Sequence, residues 1–198
     1  ETFHTFGLDF SDVNYDSLKT PIKNTFPIQS EFNIEESYCE FWARSLNIMF
    51  FSYFNSLNLY KNFKLCFDIH IDLEKIHSSI QLNKILHFFG LSYDHLCDPK
   101  LHNICNKLYK EQTNVFAYYI LTSVLLYHFN DMLHWCNNNN TMIFRFNKNK
   151  KYISSYFSFI IEKYKSPEYI NSLRYIKQIN NNIQNNNPTL RMSLIEFN

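Results

Sequence analysis

Glu35-Glu36-Ser37-Tyr38-Cys39-Glu40-Phe41-Trp42-Ala43-Arg44-Ser45-Leu46-Asn47-Ile48-Met49-Phe50-Phe51-Ser52-Tyr53-Phe54 contains neither Gly nor Pro. Its apolar residues, among them Phe41, Trp42, Leu46, Ile48, Phe51 and Phe54, cover nearly the whole circumference of a helix. A helix apolar all round is a buried one, so this is an interior helix from about Ile34 to Leu57 with others packed about it. Glu36, Glu40 and Asn47 nevertheless fall on one stripe, at i, i+4 and i+11. A carboxylate buried without a partner is costly, so these acids are expected to pair with cations or to bind a metal. The ordinary pairing is available too: Glu40 and Arg44 stand at i, i+4, and acids near a helix N-terminus favour its dipole.

The segments on either side extend the helical pattern. A short helix runs from the chain start to about Phe6, and a polar connection containing Pro21 and Pro27 reaches to about Asn33. Beyond the long helix, Phe63 to Phe89 reads as one broken helix or two adjacent ones. Leu65, Ile69, Leu73, Ile76, Ile80, Leu82, Ile85 and Leu86 make its apolar stripe, and Gly90 stops it. A helix opening at Asp98-Pro99 carries Leu101, Ile104 and Leu108, and an apolar helix follows from about Glu111 to Trp135. Thr141 to Phe146, short, β-branched and aromatic, is a candidate strand. Lys151 to Tyr164 and Pro167 to Ile179 are the last two helices, the second with Pro where the first turn tolerates it. The expectation is a mainly α fold, one helical domain over residues 1–198, with Asn-rich loops at 137–150 and 180–188.

Composition narrows the function classes. Of 198 residues, 45% are hydrophobic and 18% aromatic, enough for one sizeable core dominated by Phe and Tyr. Nineteen basic and 18 acidic residues leave a net charge of +1, which gives no electrostatic case for nucleic acid as a partner. No apolar run reaches the ~20 uncharged residues needed to span a bilayer. The five cysteines, at 39, 66, 97, 105 and 136, are odd in number and lack C-x-x-C spacing, which favours free thiols in a reducing, intracellular compartment. The wealth of Asn, Ile, Lys, Phe and Tyr is that of an AT-rich coding sequence, as in a protist or a large DNA virus.

The opening residues, Glu1-Thr2-Phe3-His4-Thr5-Phe6-Gly7-Leu8-Asp9, carry the chemistry. A His immediately before Glu1 would make the segment H-E-T-F-H. Imidazoles four apart on a helix reach one metal ion, and the Glu between them can take a proton from metal-bound water. This stretch resembles the zinc-site helix of the zincin metallopeptidases. E-x-x-H-x-x-G-L-D is closest to the metzincin pattern, whose third ligand falls three residues after the Gly. Phe10 holds that place, with Asp9 one position early and Asp12 two late. In gluzincins the third ligand is a Glu on a second helix some tens of residues later, and Glu36-x-x-x-Glu40 resembles that element. The resemblance implies zinc held by an upstream His, His4 and Glu36, with Glu40 as the partner behind the ligand; Glu36 and Glu40 can exchange roles. It implies Glu1 as general base, a peptide or protein as substrate, and a helical C-terminal lobe. The chain is then expected to be a fragment whose β-rich lobe would precede Glu1. One zinc would require His4 and a Glu36 or Glu40 oxygen to lie within ~5 Å of each other.

Other constellations read more simply. His70, Glu74 and His77 share a helix face, expected to be a solvated polar surface. His128, His134 and Cys136 flank a helix end and are assigned to structure. Arg191, in Pro188-Thr189-Leu190-Arg191-Met192, is a candidate for holding a substrate carboxylate or the transition state, or for a structural bridge to Glu40 or Glu196. Two function classes remain, a zinc-dependent peptidase and a non-catalytic α-helical structural or interaction domain.

Overall fold

The computed structural model describes residues 1–56, 60–182 and 189–195. Helix accounts for 71% of it, in ten α-helices, with no strand among the described residues. These are α1 (Thr2–Thr5), α2 (Lys19–Thr25), α3 (Glu35–Asn55), α4 (Tyr60–Phe88), α5 (Tyr93–Cys97), α6 (His102–Leu108), α7 (Thr122–Tyr127), α8 (Phe129–Asn139), α9 (Lys150–Lys163) and α10 (Pro167–Asn182). A π-helical segment, Phe116–Leu121, leads into α7. α3 is the central element, packed chiefly against α4, α7 and the π-helix.

Aromatic side chains make the core and fasten the N-terminal segment to it. Phe10 stacks on Phe146 at 4.4 Å and meets Tyr15, Tyr156 and Phe157. Tyr38 of α3 meets Phe146 and Tyr156 edge-on. A second group, with Phe26 between Phe116 and Tyr164, ties α2 to the π-helix. The Tyr15 hydroxyl donates to Glu35, a buried carboxylate at the start of α3. Residues 1–33 are thereby held against the N-terminal end of α3.

Several sequence expectations are corrected. The connection to Asn33 contains α2, because Pro21 is its third residue, where the missing N–H has no intrahelical partner to lose. Residues 60–88 form one unbroken helix. The expected helix from Glu111 to Trp135 is divided. Glu111 accepts the Phe116 N–H at 2.7 Å and starts the π-helix, and His128, with φ −91° and ψ 39°, separates α7 from α8. Asn137 to Asn139 are helical, not loop; the Asn139 amide donates to the Trp135 carbonyl at 2.8 Å. Met142 and Arg145 form an isolated bridge in a turn where a strand was expected. α10 extends into the second Asn tract as far as Asn182; the remaining loop at 183–188, the Leu57 end of the long helix and Glu196 lie outside the described residues.

Glu111 supplies a pH-dependence. One of its oxygens accepts from the Tyr109 hydroxyl at 2.8 Å as well as from Phe116, while the other is buried without a hydrogen bond. Burial pushes its pKa from the ordinary 4.5 up to about 7. Between those values the unfolded chain has lost a proton that the folded protein keeps, so this group's contribution to stability falls as pH rises through the window. The urea midpoint of the wild type is therefore expected to drop between pH 5 and pH 8, and Glu111→Gln to drop less. An identical fall in the variant would show that Glu111 titrates normally.

Candidate metal centre

The site is built where α1, the turn after it and the first turns of α3 meet. α1 ends in a reversal that needs a left-handed residue. Gly7, at φ +58°, donates to the His4 carbonyl at 3.0 Å and Leu8 to the Phe3 carbonyl at 2.8 Å, the paired bonds of a Schellman motif. The chain folds back, the Leu8 carbonyl accepts the Phe146 N–H at 2.8 Å, and Asp9 is returned alongside His4.

His4 is held from both ring nitrogens. Its Nδ1 is in direct contact with the Asp9 carboxylate, which is almost wholly buried. Asp9 is fixed in turn by the Ser11 hydroxyl and N–H at 3.0 and 3.3 Å and by the Cys39 thiol at 3.2 Å. On the other side, His4 Nε2 lies 3.5 Å from Glu36 Oε2. That separation is long for a charge-assisted hydrogen bond, usually about 2.7–2.9 Å. Two ligand atoms each ~2.0–2.1 Å from one tetrahedral zinc ion stand about 3.4 Å apart. The pair therefore fits an ion between its two atoms, with Asp9 orienting the imidazole from behind, as metal-bound histidines are commonly oriented.

His4, Asp9 and Cys39 also present three potential ligand atoms within 4.8 Å of one another. The direct contact of Nδ1 with Asp9 leaves no gap for an ion on that side. Burial pushes the Cys39 pKa up, and the Asp9 carboxylate beside it adds to the rise, so Cys39 remains a thiol that donates to Asp9. The Nε2 side, facing Glu36, is where a cation fits.

The other sequence candidates fall in different places. Glu1 caps α1, exposed, one turn before His4, with its carbonyl accepting the Thr5 N–H at 2.9 Å. Glu40 is turned to Arg44, whose Nε donates to it at 2.6 Å, so it takes the ordinary i, i+4 pairing. Arg191 is carried by a segment laid over α4. Its N–H donates to Gln81 at 3.4 Å and its carbonyl lies 3.3 Å from His77 Nε2, so its main chain sits on α4. The face formed by His70, Glu74 and His77 is not a solvated surface. Glu74 is fully buried, 3.6 Å from Arg44 and accepting from Ser193 and Leu194 at 3.0 and 2.9 Å. His128 bonds the Ser166 hydroxyl at 3.2 Å, consistent with a packing role.

Two site residues escaped the sequence reading. Asp9 was weighed there as a direct ligand, and only the Gly7 reversal reveals it as the group behind His4. Tyr118 lies beside Glu36; burial first, then the charge of Glu36 and a hydrogen bond with it, push its pKa up. It belongs to the π-helix, an irregularity frequent at functional sites, and its carbonyl accepts from buried Arg44 at 3.1 Å. Nothing distinguishes Tyr118 from its neighbour Tyr119 in the sequence. No family model, no curated protein and no solved structure matches the chain.

Proposed function

We propose that this chain carries part of the zinc site of a metallopeptidase, with His4 and Glu36 as two protein ligands and a His immediately before Glu1 as the third. The observation that supports this reading most is the 3.5 Å spacing of His4 Nε2 and Glu36 Oε2, with Asp9 on the opposite nitrogen. The same spacing is what E-x-x-H followed by a distant Glu implies. Bound zinc would polarise a scissile carbonyl and lower the pKa of a coordinated water. Glu1, one turn from His4 and exposed, would serve as the general base for such a water and as the acid for the leaving amine. Asp9 keeps the His4 Nδ1–H engaged, so that Nε2 presents its lone pair to the ion. Tyr118, beside Glu36, joins Arg191 as a candidate donor to developing charge on the substrate oxygen.

The test begins with the residue that the gene places before Glu1; anything but His removes the third ligand and the reading with it. With His present, the zinc-loaded protein should cleave a mixed peptide library. Glu1→Gln should retain zinc yet lose at least about a hundredfold in kcat, the scale of general-base catalysis. A Glu1→Gln protein as active as wild type would remove Glu1 from the mechanism.

A further inference from the structure

Residues 189–195 form neither helix nor strand and lie along α4 where it meets α3. The Thr189 carbonyl accepts from the Lys84 amine at 3.2 Å, the Arg191 N–H donates to Gln81 at 3.4 Å, and the Arg191 carbonyl lies 3.3 Å from His77 Nε2. Further on, the Leu194 N–H and the Ser193 hydroxyl donate to the same oxygen of Glu74 at 2.9 and 3.0 Å, and the Ile195 carbonyl accepts from the Asn47 amide of α3 at 2.7 Å. Lys84, Gln81, His77 and Glu74 are spaced 3, 4 and 3 along α4, so the segment runs antiparallel to the helix over one of its faces. Asn47 is the member of the Glu36 stripe that the metal centre does not use. The two helices thus hold this stretch largely by its main chain, as a groove holds an extended peptide. Of its apolar side chains Ile195 is buried and Met192 partly buried, while Leu190 and Leu194 are nearly half exposed.

We propose that residues 189–195 are a releasable strap, a peptide ligand carried in cis, which leaves the groove between α3 and α4 as a unit while the helices stay folded. The polar floor of the groove permits this. When the strap lifts, water takes over its hydrogen bonds to Lys84, Gln81, His77 and Asn47, so those groups are not left buried without partners. Glu74 keeps the Arg44 guanidinium 3.6 Å away, so release does not orphan a buried charge. Little apolar surface is uncovered, because Ile195 is the one deeply buried side chain of the segment. Segments with few buried apolar contacts open at the low end of a protein's range of local stabilities. α3 and α4 meanwhile remain joined without the strap: Ser52 bonds His70 at 2.8 Å, Phe51 stacks edge-on against the same ring, and Arg44 reaches Ser78 at 3.4 Å. The strap follows α10 in the chain after only residues 183–188, so once released it stays at high local concentration and closes again.

Native-state hydrogen exchange of the full chain in sub-denaturing urea reads the strap directly. The Arg191 and Leu194 amides should be protected, yet exchange at least about a hundredfold faster than those of Leu82 and Leu86 in α4 and with little dependence on urea, the mark of a local opening. Ile195→Asp should leave the Arg191 and Leu194 amides unprotected with the helical circular dichroism spectrum unchanged. A labelled peptide with the sequence of Thr189 to Asn198 should then bind Ile195→Asp at least about tenfold tighter than the wild type, whose groove is already filled. Exchange of Arg191 and Leu194 only by global unfolding, in step with α4, would make the segment an integral part of the fold and overturn the proposal. Amides already unprotected in the wild type overturn it too, as does a peptide that binds both proteins equally or neither.

Discussion

Replacing His4 or Glu36 with Ala is expected to abolish stoichiometric zinc binding, each change costing well over a hundredfold in affinity. The magnitude follows from the geometry. Two ligand atoms that an ion would share stand 3.5 Å apart, so removing either side chain takes away half of that pair. Losing a group behind a ligand typically costs about 10–100-fold, and losing the ligand costs more. Asp9→Asn should fall in that lower range, since the imidazole loses its orienting carboxylate while the ligand atoms remain. Cys39→Ser separates the two sides of His4. On the Nε2 reading it leaves zinc content unchanged; if His4, Asp9 and Cys39 were the ligands, it would strip the ion. Metal analysis after dialysis reads all four variants. Stoichiometric zinc in both His4→Ala and Glu36→Ala would end the assignment. The helical fold would survive that result, and the non-catalytic scaffold would become the better reading.

Arg44→Met is expected to destabilise the protein by about 3–5 kcal/mol, the cost of leaving buried charge without its partner. Arg44 is among the most deeply buried side chains of the molecule. Its guanidinium bonds Glu40 at 2.6 Å, the Tyr118 carbonyl at 3.1 Å and Ser78 at 3.4 Å, and stands 3.6 Å from Glu74. That last distance is too long for a hydrogen bond, so the Glu74 oxygen facing Arg44 is stabilised by charge alone. In the variant Glu74 would remain fully buried with no cation against it. For a chain of this length the melting temperature should fall by roughly 10 °C. Pairing Arg44→Met with Glu74→Gln should recover much of the loss, because the uncompensated charge goes with it. Thermal melts of the two variants decide the matter. A single variant within 1 kcal/mol of wild type would mean that water reaches Glu74 freely.

The helical class was legible because it rests on periodicity: the unbroken aromatic run of α3 and the Gly that closes α4 act within a few residues of themselves. The pairing of His4 with Glu36 was legible as a motif at a distance. The orientation of the first half of α4 was not: Leu65, Ile69, Leu73 and Ile76 lie outside, while Leu82, Ile85 and Leu86 of the same stripe are buried. Periodicity locates an apolar stripe but is silent on which way it faces, and here the inner position went to Glu74, Ser78 and Gln81. Those residues satisfy Arg44 and the 189–195 segment, so hydrogen bonding in a dry interior outweighed hydrophobicity at four positions. The division of residues 111–135 escaped for a similar reason, since it depends on where the Glu111 carboxylate finds the Phe116 N–H.

Local pattern, acting through backbone sterics and side-chain spacing, was sufficient to make this chain helical and to set His4 one turn after Glu1. That Asp9 lies against His4 Nδ1, that Glu36 rather than Glu40 faces the imidazole, and that Tyr118 stands beside Glu36 were decided by the fold. Each depends on directions in space that the Gly7 reversal, the Arg44 network and the packing of α3 against its neighbours impose together.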